Sequence, residues 1–117
     1  MLFRSHFSIV ERNRILLIPL AGVVYFKAEL KYVTLRTRER DHIIEESLVS
    51  LEKEFAGAFV RIHRNCIVAR AAIAGFERAA GSTEDESHWE VVLEGVPERL
   101  PVSRRQWSEV REVLGHK

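Results

Sequence analysis

Along most of the chain, apolar and polar positions alternate in short runs, and a period of two predicts strands. Phe7-Ser8-Ile9-Val10 and Ile15-Leu16-Leu17-Ile18 flank Glu11-Arg12-Asn13-Arg14, a polar segment of hairpin-loop length, so the first strand pair is placed there. After the breakers Pro19 and Gly22, Val23-Val24-Tyr25-Phe26 is aromatic and β-branched. Lys27 to Lys31 reads as a surface loop. Tyr32 to Arg38 then alternates, with Val33 and Leu35 on one face and Thr34, Arg36 and Arg38 on the other, and Asp41 to Glu45 returns as its partner. The period changes at Ser47: Leu48, Leu51 and Phe55 share a helical face, Ser47 can cap the first turn and Gly57 can end the last.

The following stretch, Phe59 to Arg70, sets Arg61, His63, Arg64 and Arg70 among apolar residues without a single acid. Val60 and Ile62 fall on one face, Phe59, Arg61 and His63 on the other, and Ile67-Val68 resumes after the polar break at Arg64-Asn65; two strands meeting at a corner fit this pattern. Ile73 to Arg78 is a further strand and Ala80 to Ser87 an exposed loop. Trp89, Val91 and Leu93 point inward from the next strand, and Gly95-Val96-Pro97-Glu98 turns the chain into Arg99-Leu100-Pro101-Val102. Ser103-Arg104-Arg105-Gln106 has capping-box spacing, and Trp107, Val110, Val113 and Leu114 make a helical stripe. With no repeat, low-complexity tract or linker, the pattern describes one mainly-β domain of about eight to ten short strands and two helices.

Composition changes this picture little. A chain of 117 residues buries roughly two thirds of its unfolded surface, enough for a core without disulfides or metal. A single cysteine and the lack of a charged-then-apolar leader favour the cytoplasm. The longest uncharged apolar run, Ile15 to Phe26, is 12 residues with Pro19 and Gly22 inside it, too short for a bilayer, so no membrane partner is expected. Net charge is +1, from 18 basic and 17 acidic residues, but the charge is clustered. Arginines gather at Arg36/Arg38/Arg40, Arg61/Arg64/Arg70 and Arg99/Arg104/Arg105. If these share a face, a nearly neutral protein presents the positive surface of a nucleic-acid binder; solvated charges protecting strand edges fit the same pattern.

The candidate catalytic chemistry is sparse. The five histidines are dispersed without helical zinc-ligand spacing, and no phosphate-cradling glycine loop or nucleophile elbow occurs. Ser103 reads as a helix cap and Cys66 as a small buried hydrophobe. The expectation is a non-enzyme without cofactor or metal.

Phe59-Val60-Arg61-Ile62-His63-Arg64-Asn65 with Ile67-Val68, followed by Leu100-Pro101-Val102-Ser103-Arg104, resembles the LytTR family, the DNA-binding output domains of bacterial response regulators. Ile15 to Ile18, Val23 to Glu29 and Lys31-Tyr32-Val33 match the same pattern, and the likeness, greatest to the family's alginate-regulator branch, runs from about Phe7 to Leu114. It implies an elongated fold of about ten strands in packed sheets with two short helices, reading successive major grooves of double-stranded DNA with loops. By position the reading loops are those at Lys31 and Tyr32, at Arg64 and Asn65, and at Ser103 and Arg104, with Arg61, His63 and Arg105 as backbone contacts or loop supports. For Arg61 and His63, hydrogen bonding within the sheet is an equal alternative. The chain departs from the family pattern at Gly22, where an acid is usual, at Asn65, where serine is common, and at Ala69, where asparagine is common.

The resemblance also implies a receiver domain in the parent protein, with residues 1–6 as a linker remnant or disordered N-terminus and 7–115 as the DNA-binding domain. No receiver fits ahead of Phe7, so the chain is expected to be an excised output domain or a stand-alone member. Without a heptad seam it should be a monomer in solution that pairs on direct repeats in a promoter. The alternative is a β-rich interaction module whose strand edges and arginines bind an acidic protein partner.

Overall fold

The computed structural model describes residues 4–79 and 88–113. The expected loop at 80–87 and the end of the last helix at Leu114 lie outside the described residues, as do residues 1–3. Among the described residues, ten strands form three antiparallel sheets. The first is a hairpin of β1 (His6–Glu11) and β2 (Arg14–Pro19), paired from His6↔Pro19 to Glu11↔Arg14. The second has five strands in the order β5 (Asp41–Ile44), β4 (Val33–Thr37), β3 (Val23–Ala28), β7 (Cys66–Ala69), β6 (Phe59–His63). The third is β8 (Ile73–Ala79), β9 (His88–Leu93) and β10 (Arg99–Val102). Helix α1 spans Leu48–Glu54 and α2 spans Arg104–Val113. The molecule is elongated, 50 × 32 × 25 Å.

Both expected helix starts form as the side-chain chemistry requires. Ser47 Oγ accepts from the Ser50 N–H at 3.1 Å, and Ser103 Oγ accepts from the Gln106 N–H at 3.2 Å, each satisfying a donor that the first turn leaves without a helical partner. Gly57, at φ +94°, takes the left-handed conformation just past α1 that a side chain would penalise.

Two apolar centres hold the sheets together. Phe7, Phe26, Phe55 and Phe59 form a ring-to-ring chain with centroids 5.3–6.0 Å apart, joining the hairpin, the central sheet and the end of α1. At the third sheet, Trp107 of α2 stacks on Trp89 at 4.8 Å and meets Phe76 edge-on at 5.3 Å, with Val110 fully buried.

Phe59 departs from the simple alternation, because it and Val60 are both buried although they point to opposite faces. The reason is that all four residues of β7, its neighbour, are also buried: α1 lies against β3, β6 and β7, while α2 and β10 lie against β6, so this part of the sheet is covered on both sides.

Candidate nucleic-acid interface

Antiparallel pairing brings the three expected loops to one end of the molecule. β3 runs into the 29–32 turn beside the start of β7, where the Ala28 N–H donates to Asn65 O at 2.7 Å, and the turn closes through Glu29 N–H to Tyr32 O at 2.8 Å. On the other side of the 64–65 corner, the Ser103 N–H donates to Ile62 O at 2.9 Å, which sets the start of α2 against the end of β6. Residues 29–32, 64–65 and 103–105 are thereby joined through the backbone of the sheet.

The side chains they carry differ in freedom. Lys31 is exposed, as is Tyr32 at 41%, and neighbouring Leu30 is fully exposed, which the charge pattern gave no reason to single out. Arg64 is exposed at the tip of the corner with no ion pair among the described residues, and Arg104 and Arg105 are exposed on the first turn of α2. That turn lies at the positive end of the α2 dipole. Ser103 is occupied as the cap, and Asn65 is half-buried.

Arg61 faces inward. Its Nε and Nη2 donate to Glu52 Oε1 at 3.0 and 2.8 Å, and its Nη1 donates to the carbonyl oxygens of Arg64 and, at 3.4 Å, His63. The side chain is only 17% exposed. His63 is half-buried, and its Nδ1 is buried with no hydrogen-bond partner among the described residues.

The three arginine groups do not share a face. Arg36 sits at the opposite end of β4 from the 29–32 turn; it is 15% exposed and lies 2.8 Å from Glu98 and 3.6 Å from Asp41. Arg40 pairs with Glu11 at 3.0 Å, and Arg99 pairs with Glu77. Their acids come from other parts of the chain, so the linear clusters overstate the positive surface, and among the described residues the exposed basic groups of the three loops are Lys31, Arg64, Arg104 and Arg105. Cys66 is buried, and burial pushes its thiol up to about 12, far from thiolate chemistry at neutral pH.

A β domain that gathers exposed basic side chains at one end has a surface suited to the phosphate backbone of a nucleic acid. The chain belongs to the LytTR family: residues 13–115 match the LytTr DNA-binding domain. It is 42% identical over 112 residues to the positive alginate biosynthesis regulatory protein of Pseudomonas aeruginosa, covering 95% of this chain and 43% of that protein. It is 28% identical over 108 residues to the heme-containing CO-sensing transcriptional regulator RcoM 1 of Paraburkholderia xenovorans, covering 92% and 39%. The chain thus spans about two fifths of these relatives' length. Its fold matches the LytTr DNA-binding domain of a putative methyl-accepting/DNA response regulator from Bacillus cereus, with a TM-score of 0.78 at 24% identity over 96% of this chain and 98% of that one. The family is one of DNA-binding regulator domains rather than of enzymes. Among the described residues, no helix is long and apolar enough to cross a membrane.

Proposed function

We propose that this domain reads double-stranded DNA sequence-specifically by inserting its 29–32, 64–65 and 103–105 loops into successive major grooves on one side of the duplex. The observation that carries the reading is the backbone linkage of the three loops, Ala28 to Asn65 and Ser103 to Ile62, which fixes the spacing of exposed Lys31, Arg64 and Arg104. A guanidinium can donate two hydrogen bonds to guanine O6 and N7, so Arg64 and Arg104 are the base readers, and lysine, a point charge, suits a single acceptor or a phosphate. Tyr32, Asn65 and Arg105 flank them as further contacts, and the first turn of α2 at Ser103 favours a phosphate oxygen. Arg61 and His63 support the corner.

In this reading the chain is the output domain, over residues 7–115 with 1–6 as linker, of a cytoplasmic two-component regulator whose receiver domain lies elsewhere in the parent protein. The P. aeruginosa relative, of which this chain covers 43%, has room for such a second domain. The domain is monomeric when free, and two copies pair on direct repeats in a promoter.

Selection from random duplexes, followed by binding titrations of the selected and a scrambled site at rising salt, tests the proposal. The expected result is a selected consensus bound at least about a thousandfold more tightly than the scrambled duplex, with log affinity falling linearly with log salt by about 0.9 per phosphate neutralised. Failure to enrich any sequence, together with saturable binding to an acidic protein surface, would favour the interaction-module alternative.

A further inference from the structure

The corner at 64–65 is held from outside the sheet, by an acid on α1. Glu52 lies on this helix, which is fixed by the buried Leu48, Leu51 and Phe55 and, across both its ends, by Arg4, whose guanidinium reaches Glu54 at 2.7–3.0 Å and Glu46 at 2.6–2.8 Å. From that anchored position Glu52 receives two N–H groups of Arg61, and the remaining Arg61 nitrogen, Nη1, bridges to the carbonyl oxygens of His63 and Arg64. The guanidinium is a rigid planar fork, so fixing one edge on Glu52 fixes the direction of the other. The two carbonyls it holds flank the Arg64 Cα, from which the Arg64 side chain departs.

We infer that Glu52 is a positioning residue for DNA recognition: through Arg61 it locks the backbone of the 63–64 peptide and so aims Arg64 at its base. This rests on the proposed reading role of Arg64. Glu52 has a second consequence, because it neutralises Arg61. Without the carboxylate, Arg61 would be a cation beside the interface with no counter-charge, free to turn toward a phosphate. The latch therefore raises specificity twice over, by pre-organising the reader and by withholding a sequence-blind contact. A carboxylate placed near a DNA-binding face lowers overall affinity, and this one is kept where it orders the corner.

The test uses Glu52→Gln, nearly isosteric at a residue whose side chain is 39% exposed, together with Arg64→Ala and the double variant. Each is titrated against the selected duplex and a scrambled one, with thermal unfolding in parallel. Glu52→Gln should reduce the ratio of specific to random affinity about tenfold, in the range of measured couplings between residues of one network, while random-duplex affinity stays level or rises. In the double variant the ratio should be no lower than in Arg64→Ala alone, because the aimed side chain is already gone. If Arg64→Ala loses discrimination but Glu52→Gln keeps it, the latch is refuted while the reading role stands. If Glu52→Gln weakens both duplexes equally in step with a lowered Tm, Glu52 is structural only and the inference falls. If Arg64→Ala itself keeps discrimination, the reading role falls and the latch with it.

Discussion

Arg36 separates the fold's electrostatics from its DNA chemistry, and replacing it with glutamine should damage stability and leave recognition alone. A strand arginine on the polar face of Tyr32 to Arg38 would, from sequence, serve equally well as a phosphate contact. In the structure its guanidinium is covered by the turn between β9 and β10. Nη2 donates to Glu98 Oε1 at 3.3 Å, Nε lies 2.8 Å from Oε2 but is misdirected for a hydrogen bond, and Nη1 is 3.6 Å from Asp41. The Asp41 pair contributes little, since that carboxylate is 62% exposed and well solvated. The Glu98 contact is the larger one. A charge-assisted hydrogen bond is worth about 1.5–3 kcal/mol, reduced here because the Glu98 side chain is 31% exposed, and Glu98 keeps the Tyr25 hydroxyl at 2.9 Å when Arg36 is lost. The expected cost is about 2 kcal/mol, or roughly 8 °C in Tm for a domain of this size. Urea unfolding measures the first figure and a thermal scan the second. Salt titrations against specific and random duplexes, run well below Tm, should give slopes matching the parent chain. A slope lower by about one with stability unchanged would show that Arg36 neutralises a phosphate and that its pairing with Glu98 does not persist on DNA.

The same cluster makes stability depend on pH. Burial works against the Glu98 carboxylate, but its own backbone N–H, the Tyr25 hydroxyl and Arg36 outweigh it and hold its pKa below the ordinary 4.5; since the folded pKa is the lower one, this contribution is complete above 4.5 and is lost as pH falls from there through the depressed value. Urea midpoints measured downward from neutral pH should fall less steeply in Glu98→Gln than in the parent chain, and parallel curves would contradict the assignment. Ser103→Ala should cost about 0.5–2 kcal/mol through the lost α2 cap, with weakened binding to both duplexes as the first turn frays. A change in discrimination with unaltered stability would instead make Ser103 a base contact.

Much of this architecture is written locally. Hairpins at Glu11-Arg12-Asn13-Arg14 and Arg64-Asn65 are legible because alternation stops at polar pairs, and the helices because Ser47 and Ser103 stand at cap positions ahead of a helical stripe. Sheet order carries the rest. Period two assigns Arg36 to a polar face but cannot say that Glu98, 62 residues away, covers it. The acid-free stretch from Phe59 to Arg70 suggests a positive surface, yet Arg61 finds its acid nine residues back, on α1. Arg70–Ala72, a 3-10 turn between β7 and β8, is built from residues with no turn signature, and Ala69 ahead of it offers no side-chain cap. The candidate loops were readable through the family pattern; their union at one end comes from the β3–β7 and β6–β10 contacts.

The most direct test of the central claim compares Arg64→Ala and Arg104→Ala with the parent chain in paired salt titrations on the selected and scrambled duplexes. If the loop ends carry the base readers, each substitution should cost about 1–3 kcal/mol on the selected site and much less on the scrambled one, because a bidentate base contact is lost. Equal losses on both duplexes, with discrimination intact, would make the two arginines phosphate clamps and contradict the assignment of the reading loops.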